Sequence, residues 1–190
     1  QFIEYFSVSN VAAGTPKAVD MSFEWLDADG AIIASTDSIT IHVVKEEKLV
    51  IDESMTGVVI ADADLILKAA PGKAEDAQTV ADIKGLFKNP ANQIVIEKNG
   101  QELTDADVVG TGCVIKLLSA DGTIADSLTV VLKGDVKGIG YTSIGSLVKM
   151  SGHITGGARL DGAYLKAADM NGNGNVSIGD IVLASNLIVA

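Results

Sequence analysis

Asp169-Met170-Asn171-Gly172-Asn173-Gly174-Asn175-Val176-Ser177-Ile178-Gly179-Asp180 reads as a twelve-residue loop suited to a calcium ion. Oxygen-bearing side chains fall at loop positions 1, 3, 5 and 12: Asp169, Asn171, Asn173 and Asp180. Gly174 stands at position 6, where the chain must turn sharply around an ion. Asn175 at position 7 offers its backbone carbonyl, and Ser177 at position 9 acts through a water. A hard cation needs six or more oxygens from one short segment, and this spacing supplies them. The plainer alternative is a polar Asn/Gly turn, which seldom places those residues in that register. One ion is expected, with modest affinity, because Asn at positions 3 and 5 lowers the charge count.

The loop is the second copy of a repeat. Asp135-Val136-Lys137-Gly138-Ile139-Gly140-Tyr141-Thr142-Ser143-Ile144-Gly145-Ser146 lies 34 residues earlier. Aligning Asp135 with Asp169 sets Gly138 on Gly172, Gly140 on Gly174, and Ser143-Ile144-Gly145 on Ser177-Ile178-Gly179. Such a duplication implies two copies of one supersecondary unit, here a loop and a short helix. Leu147, Val148, Met150 and Ile154 give the first helix an apolar stripe. Ile181, Val182, Leu183, Leu187 and Ile188 give the second one. Two such helices can bury their stripes on each other in an antiparallel pair.

The copies differ in chemistry. The first loop has Lys137 at position 3, Ile139 at position 5 and Ser146 at position 12, leaving Asp135 as its one anionic ligand. An ammonium and a hydrocarbon in place of oxygens argue against calcium there, so the first copy is expected to keep the fold without the ion. Lys137 either reaches Asp135 as an internal cation or points to water; both remain open at this level.

A duplicated calcium loop that ends in Asp, with no amphipathic helix entering it, resembles a dockerin. The resemblance rests on Lys133-Gly134-Asp135 and on Gly162-Ala163-Tyr164-Leu165-Lys166-Ala167-Ala168-Asp169 running into the second loop, and covers residues 133–190. It implies a non-catalytic module that docks onto a cohesin of a scaffold or cell-surface protein, in secreted polysaccharide-degrading assemblies of the cellulosome kind. Recognition would then fall at loop positions 10 and 11, here Ile144-Gly145 and Ile178-Gly179. Both pairs are apolar where many dockerins carry hydroxyls. A bland reading makes Ile144 and Ile178 core residues instead.

Upstream, residues 1–51 alternate in strand fashion, as in Phe2–Val8, Val19–Leu26 and Ser38–Val44, with Asp27-Ala28-Asp29-Gly30 as a hairpin turn. They are weakly similar to the last strands of a cohesin-like or carbohydrate-binding β-sandwich. Residues 52–133 read as an α+β module. Thr79 caps a helix through Val80, Ile83, Leu86 and Phe87, and hairpins turn at Asn99-Gly100 and Asp121-Gly122. The expected arrangement is β-grasp-like, and its close junction with the repeats resembles an X-module before a dockerin. The expected fold is thus multidomain: sandwich strands (1–51), an α+β module (52–133) and a small all-α dockerin with EF-hand-like loops (134–190).

The chain carries 14 basic against 25 acidic residues, net −11, with no basic cluster. That argues against nucleic acid or an anionic membrane as partner, and the apolar runs are too short to span a bilayer. The chain reads as a segment of a longer, extracellular bacterial protein. Cys113 is the single cysteine and is expected to be a buried small hydrophobe.

No enzyme is expected. His42 and His153 lack metal-ligand or nucleophile neighbours, and Asp62/Asp64 and Asp105/Asp107 lack a glycan cleft. Gly110-Thr111-Gly112 is too short for a phosphate loop. Trp25 with Tyr5 and Phe23 reads as core rather than as a sugar platform. Besides cohesin docking, two functions stay open. One is a calcium-stabilised structural domain that no longer docks; the other is carbohydrate binding by residues 1–51.

Overall fold

A computed structural model describes residues 17–22, 24–37, 39–43, 46–68 and 70–189. The strand expected at Phe2–Val8, and the aromatics Tyr5 and Phe23, lie outside them. The chain divides into two compact units, Gln1–Glu47 and Lys48–Ala190.

In the first unit, β1 (Lys17–Met21) pairs antiparallel with β4 (Ile39–Val43), from Lys17↔Val43 to Met21↔Ile39. Between them in sequence, β2 (Glu24–Leu26) pairs with β3 (Ile32–Ser35). The Asp27 carboxylate closes that turn by accepting the N–H groups of Asp29 and Ala31. Among the described residues these are two two-stranded ribbons. β2 and β3 are exposed along their whole length, and Trp25, expected in a core, is 53% exposed.

The second unit is built on a six-stranded sheet. Its strands are β5 (Val58–Ala61), β6 (Asp64–Leu67), β7 (Ile94–Lys98), β8 (Gln101–Glu102), β9 (Val114–Leu118) and β10 (Ile124–Leu132), in the order β5-β6-β10-β9-β7-β8. Neighbours are antiparallel except β6 and β10, which run parallel from Asp64↔Thr129 to Leu67↔Leu132. Alternate residues (Ile94 and Ile96, Ile115 and Leu117, Leu128 and Val130) are buried together with Leu65, Val80, Ile83 and Phe87, as a strand period of two requires of a half-covered sheet. The Thr79–Asp82 capping box starts α1 (Val80–Lys84). The helix stops at Lys84, so Leu86 and Phe87 reach the core from beyond its end. A five-residue helix does not provide the single covering helix of the β-grasp expectation.

Three helices follow: α2 (Ile144–Ile154), α3 (Gly162–Ala168) and α4 (Ile178–Val189). α2 packs on α4, and Val136, Met150, Leu160, Ala168 and Ala184 form their own buried cluster. The expectation of a separate, small all-α module at residues 134–190 is overturned. The described elements are ten strands against four α-helices, and the helices belong to the same compact unit as the sheet. The physical reason is a continuous seam of contacts. α3 lies on β10. Ala70 N–H donates to the Lys133 carbonyl at 2.6 Å, Thr142 N–H to Pro71 at 2.8 Å, and Gly134 N–H to Ala167 at 2.9 Å. The Lys166 ammonium pairs with the nearly buried Asp64 of β6. No helix among the described residues is long and apolar enough to cross a membrane.

Candidate calcium loop and docking face

Each loop is organised by its first carboxylate. Asp169 is buried and accepts the N–H groups of Gly172 (2.9 Å) and Asn173 (3.1 Å) on Oδ1 and of Gly174 (2.9 Å) on Oδ2. Asn171 Oδ1 takes the Asn173 N–H, and Asn173 Oδ1 takes the Asn175 N–H. Gly174 turns at φ 84°, a left-handed conformation that favours glycine. The loop closes on Asp180, which is fully buried. Its Oδ1 accepts Met170 and Asn171 N–H, and its Oδ2 accepts the Ser177 N–H and hydroxyl. Burial pushes the Asp180 carboxyl up, but the bonds from Ser177, Asn171 and Met170 outweigh it and hold the group below the usual carboxylate value.

This geometry tests the fit of an ion. A carboxylate offers about four lone-pair sites. Asp169 has three occupied, and Asn171 and Asn173 each retain acceptor capacity on exposed side chains. Asp180 has all four occupied, but the Ser177 hydroxyl can rotate away and release one. The second loop therefore fits a hard cation with Asp169, Asn171, Asn173, Asp180 and the Asn175 carbonyl as donors. It is a two-carboxylate set completed by amides. Among the described residues, no three or more His, Cys, Asp or Glu side chains form a metal cluster.

The first loop has the same frame but a different filling. Asp135 is fully buried and accepts Ile139 N–H on Oδ1 at 2.9 Å and Gly140 N–H on Oδ2 at 2.8 Å. Its Oδ2 also takes the N–H of Thr111, at 3.0 Å, from the segment between β8 and β9. Lys98, at the end of β7, donates its ammonium to the Gly138 carbonyl at loop position 4. Lys137 is exposed, its stem lying across Gly145, while the oxygens of Asp135 are bonded by backbone. Ser146, at position 12, is fully buried and its hydroxyl has no hydrogen-bond partner.

The short Gly110-Thr111-Gly112 segment is a packing joint. A Cβ on Gly110 would lie 2.5 Å from the carbonyl carbon and oxygen of Gly138, so only glycine permits this approach. The Tyr164 hydroxyl from α3 sits against Gly112 and Gly138. Burial raises the Tyr164 phenol, helped by the charges of Asp135 and Cys113. Neither Thr111 nor Lys98 is signalled in the sequence, because both act across the fold.

The expected recognition residues are exposed on both copies, not buried in a core. Ile144 is 70% and Ile178 71% exposed, followed one turn on by Val148 at 66% and Val182 at 52%. Gly145 and Gly179 lie beside them in the first turns of α2 and α4. Four of the remaining candidates have structural partners. Asp64 pairs with Lys166, Asp105 with Lys84, and Asp107 accepts from Thr104. His153 Nδ1 accepts the Leu160 N–H, which ties α2 to the connector before α3. Comparison with known protein families, curated proteins and solved structures finds no match to this chain.

Proposed function

We propose that α2 and α4 present a calcium-dependent docking face for a cohesin-type domain of a scaffold or cell-surface protein, in a secreted polysaccharide-degrading assembly. The chain itself is non-catalytic in this reading. One observation carries it: equivalent positions of the two repeats, Ile144 with Val148 and Ile178 with Val182, hold apolar side chains in solvent on helices that pack together. Contiguous exposed apolar surface usually marks an interface. The donor set of the second loop supports calcium as the ion that orders α4, which begins within that loop. The repeat pair acts as part of the sheet-bearing unit, not as a free-standing helical module.

The test is binding of the chain to a panel of immobilised cohesins in calcium and in chelator. Calcium-dependent capture by at least one cohesin, lost in Ile144→Asp/Ile178→Asp, supports docking. Absence of capture across the panel, with calcium bound, overturns it.

A further inference from the structure

We infer that calcium gates only one half of this face: α4 depends on the ion, whereas the loop that leads into α2 is fastened to the sheet-bearing part of the unit by Lys98 and Thr111. The inference rests on the reading of α2 and α4 as a docking face and concerns its regulation. The loops that lead into the two helices share one frame, in which the carboxylate at position 1 takes the N–H groups of positions 5 and 6. They part at positions 3, 5 and 12. Where the second loop has Asn171, Asn173 and Asp180, the first has Lys137, Ile139 and Ser146. A buried serine hydroxyl without a partner brings no charge to position 12. The first loop therefore does not fit calcium.

What it has instead comes from the other half of the unit. Lys98 places a positive charge on the carbonyl of position 4, and Thr111 N–H takes the outer face of Asp135. Position 4 is not a calcium-ligand position, so the Lys98 bond fastens the first loop to the sheet, while the buried Asp135 carboxylate finds its partners in backbone N–H groups. The second loop has no equivalent pair. There the Lys133 ammonium bonds the backbone carbonyls of Lys166 and Asp169, and the bonds described for the Asp169 carboxylate come from the loop's own N–H groups. Removing calcium would thus loosen Ile178 and Val182 while Ile144 and Val148 stay in place, leaving half a surface.

Hydrogen exchange on the full chain, in calcium and in chelator, tests this without a partner. Chelation is expected to lower protection in 178–189 by more than about tenfold and to leave 144–154 unchanged. Lys98→Met is expected to lower protection in 144–154 with and without calcium, Lys98→Arg to restore it, and calcium stoichiometry to stay at one. Equal loss in both helices on chelation, or unchanged protection of 144–154 in Lys98→Met, overturns the inference. A chain that shows this asymmetry but captures no cohesin refutes docking alone. A chain that binds no calcium refutes both.

Discussion

Asp135 and Asp169, 34 residues apart, hold their loops in the same grip: each accepts the N–H four residues on with Oδ1 and the N–H five residues on with Oδ2. The grip is therefore a property of the loop frame, shared by two copies that differ at positions 3, 5 and 12.

Asp135→Ala would strand three backbone N–H groups in the interior, those of Thr111, Ile139 and Gly140. Hydrogen bonds to a charged acceptor are worth about 1.5–3 kcal/mol each, and an unsatisfied donor adds its desolvation cost. A loss of about 3 kcal/mol or more in denaturant unfolding is expected, with the calcium stoichiometry still one. A loss under about 1 kcal/mol would mean that the joint at Thr111 is dispensable.

Asp169→Ala removes the position-1 ligand and three N–H acceptors together. Calorimetric titration into chelator-stripped protein should pass from one site to none, and the calcium-induced rise in melting temperature should disappear. Two equal sites in the unsubstituted chain would contradict the assignment of Lys137 and Ile139 as non-ligands.

Ile144→Asp and Ile178→Asp replace exposed side chains in the first turns of α2 and α4. Surface changes of this kind stay within about 0.5 kcal/mol, and a carboxylate near a helix N-terminus is favourable. Unchanged melting temperature with lost partner binding is the expected pair of results. A large loss of stability would place these residues in a core.

Stability should fall on acidification, partly through Asp180. Its folded carboxyl sits below the ordinary value, so its contribution is fully present above the unfolded value of about 3.9 and is lost as pH drops toward the folded one. Unfolding curves between about pH 5 and pH 2 should flatten in Asp180→Asn. Calcium binding should weaken over the same range, since the ligand must be deprotonated.

Cys113 is fully buried in the sheet core. Burial raises its thiol, with Asp135 adding to the rise, while the Gly110 N–H and the Lys98 charge oppose it. Alkylation in native conditions should be far slower than in denaturant, and should speed up in Lys98→Met if that substitution opens the joint.

Local chemistry was legible where it is self-contained. Asn99-Gly100 turns β7 into β8 with both residues at positive φ, Asp121-Gly122 joins β9 to β10, and Thr79 caps α1. The frame of the second loop followed from its spacing. The α3 helix was not read from the sequence, although Tyr164, Leu165, Ala167 and Ala168 have helical spacing. What could not be read was long-range. Nothing near Asp64 announces a parallel partner some 65 residues away, and nothing in Gly110-Thr111-Gly112 announces a seat for the first loop. The all-α expectation failed for that reason: helical periodicity reports a stripe, not the sheet a helix leans on.

The place of β10 in the sheet sets an order of events during synthesis. The strand made last lies between β6 and β9, so a nascent chain that stops before residue 124 holds two incomplete pieces, β5–β6 and β9–β7–β8, each with a bare edge toward the gap. Such edges invite pairing with other chains. Joining them closes a loop of more than fifty residues, which makes this step slow compared with the hairpins. The repeats emerge directly behind β10. The first loop's seat at Thr111 and Lys98 is complete only once that strand is in place, so the first repeat settles at the end of folding, on a surface the ribosome has only just finished.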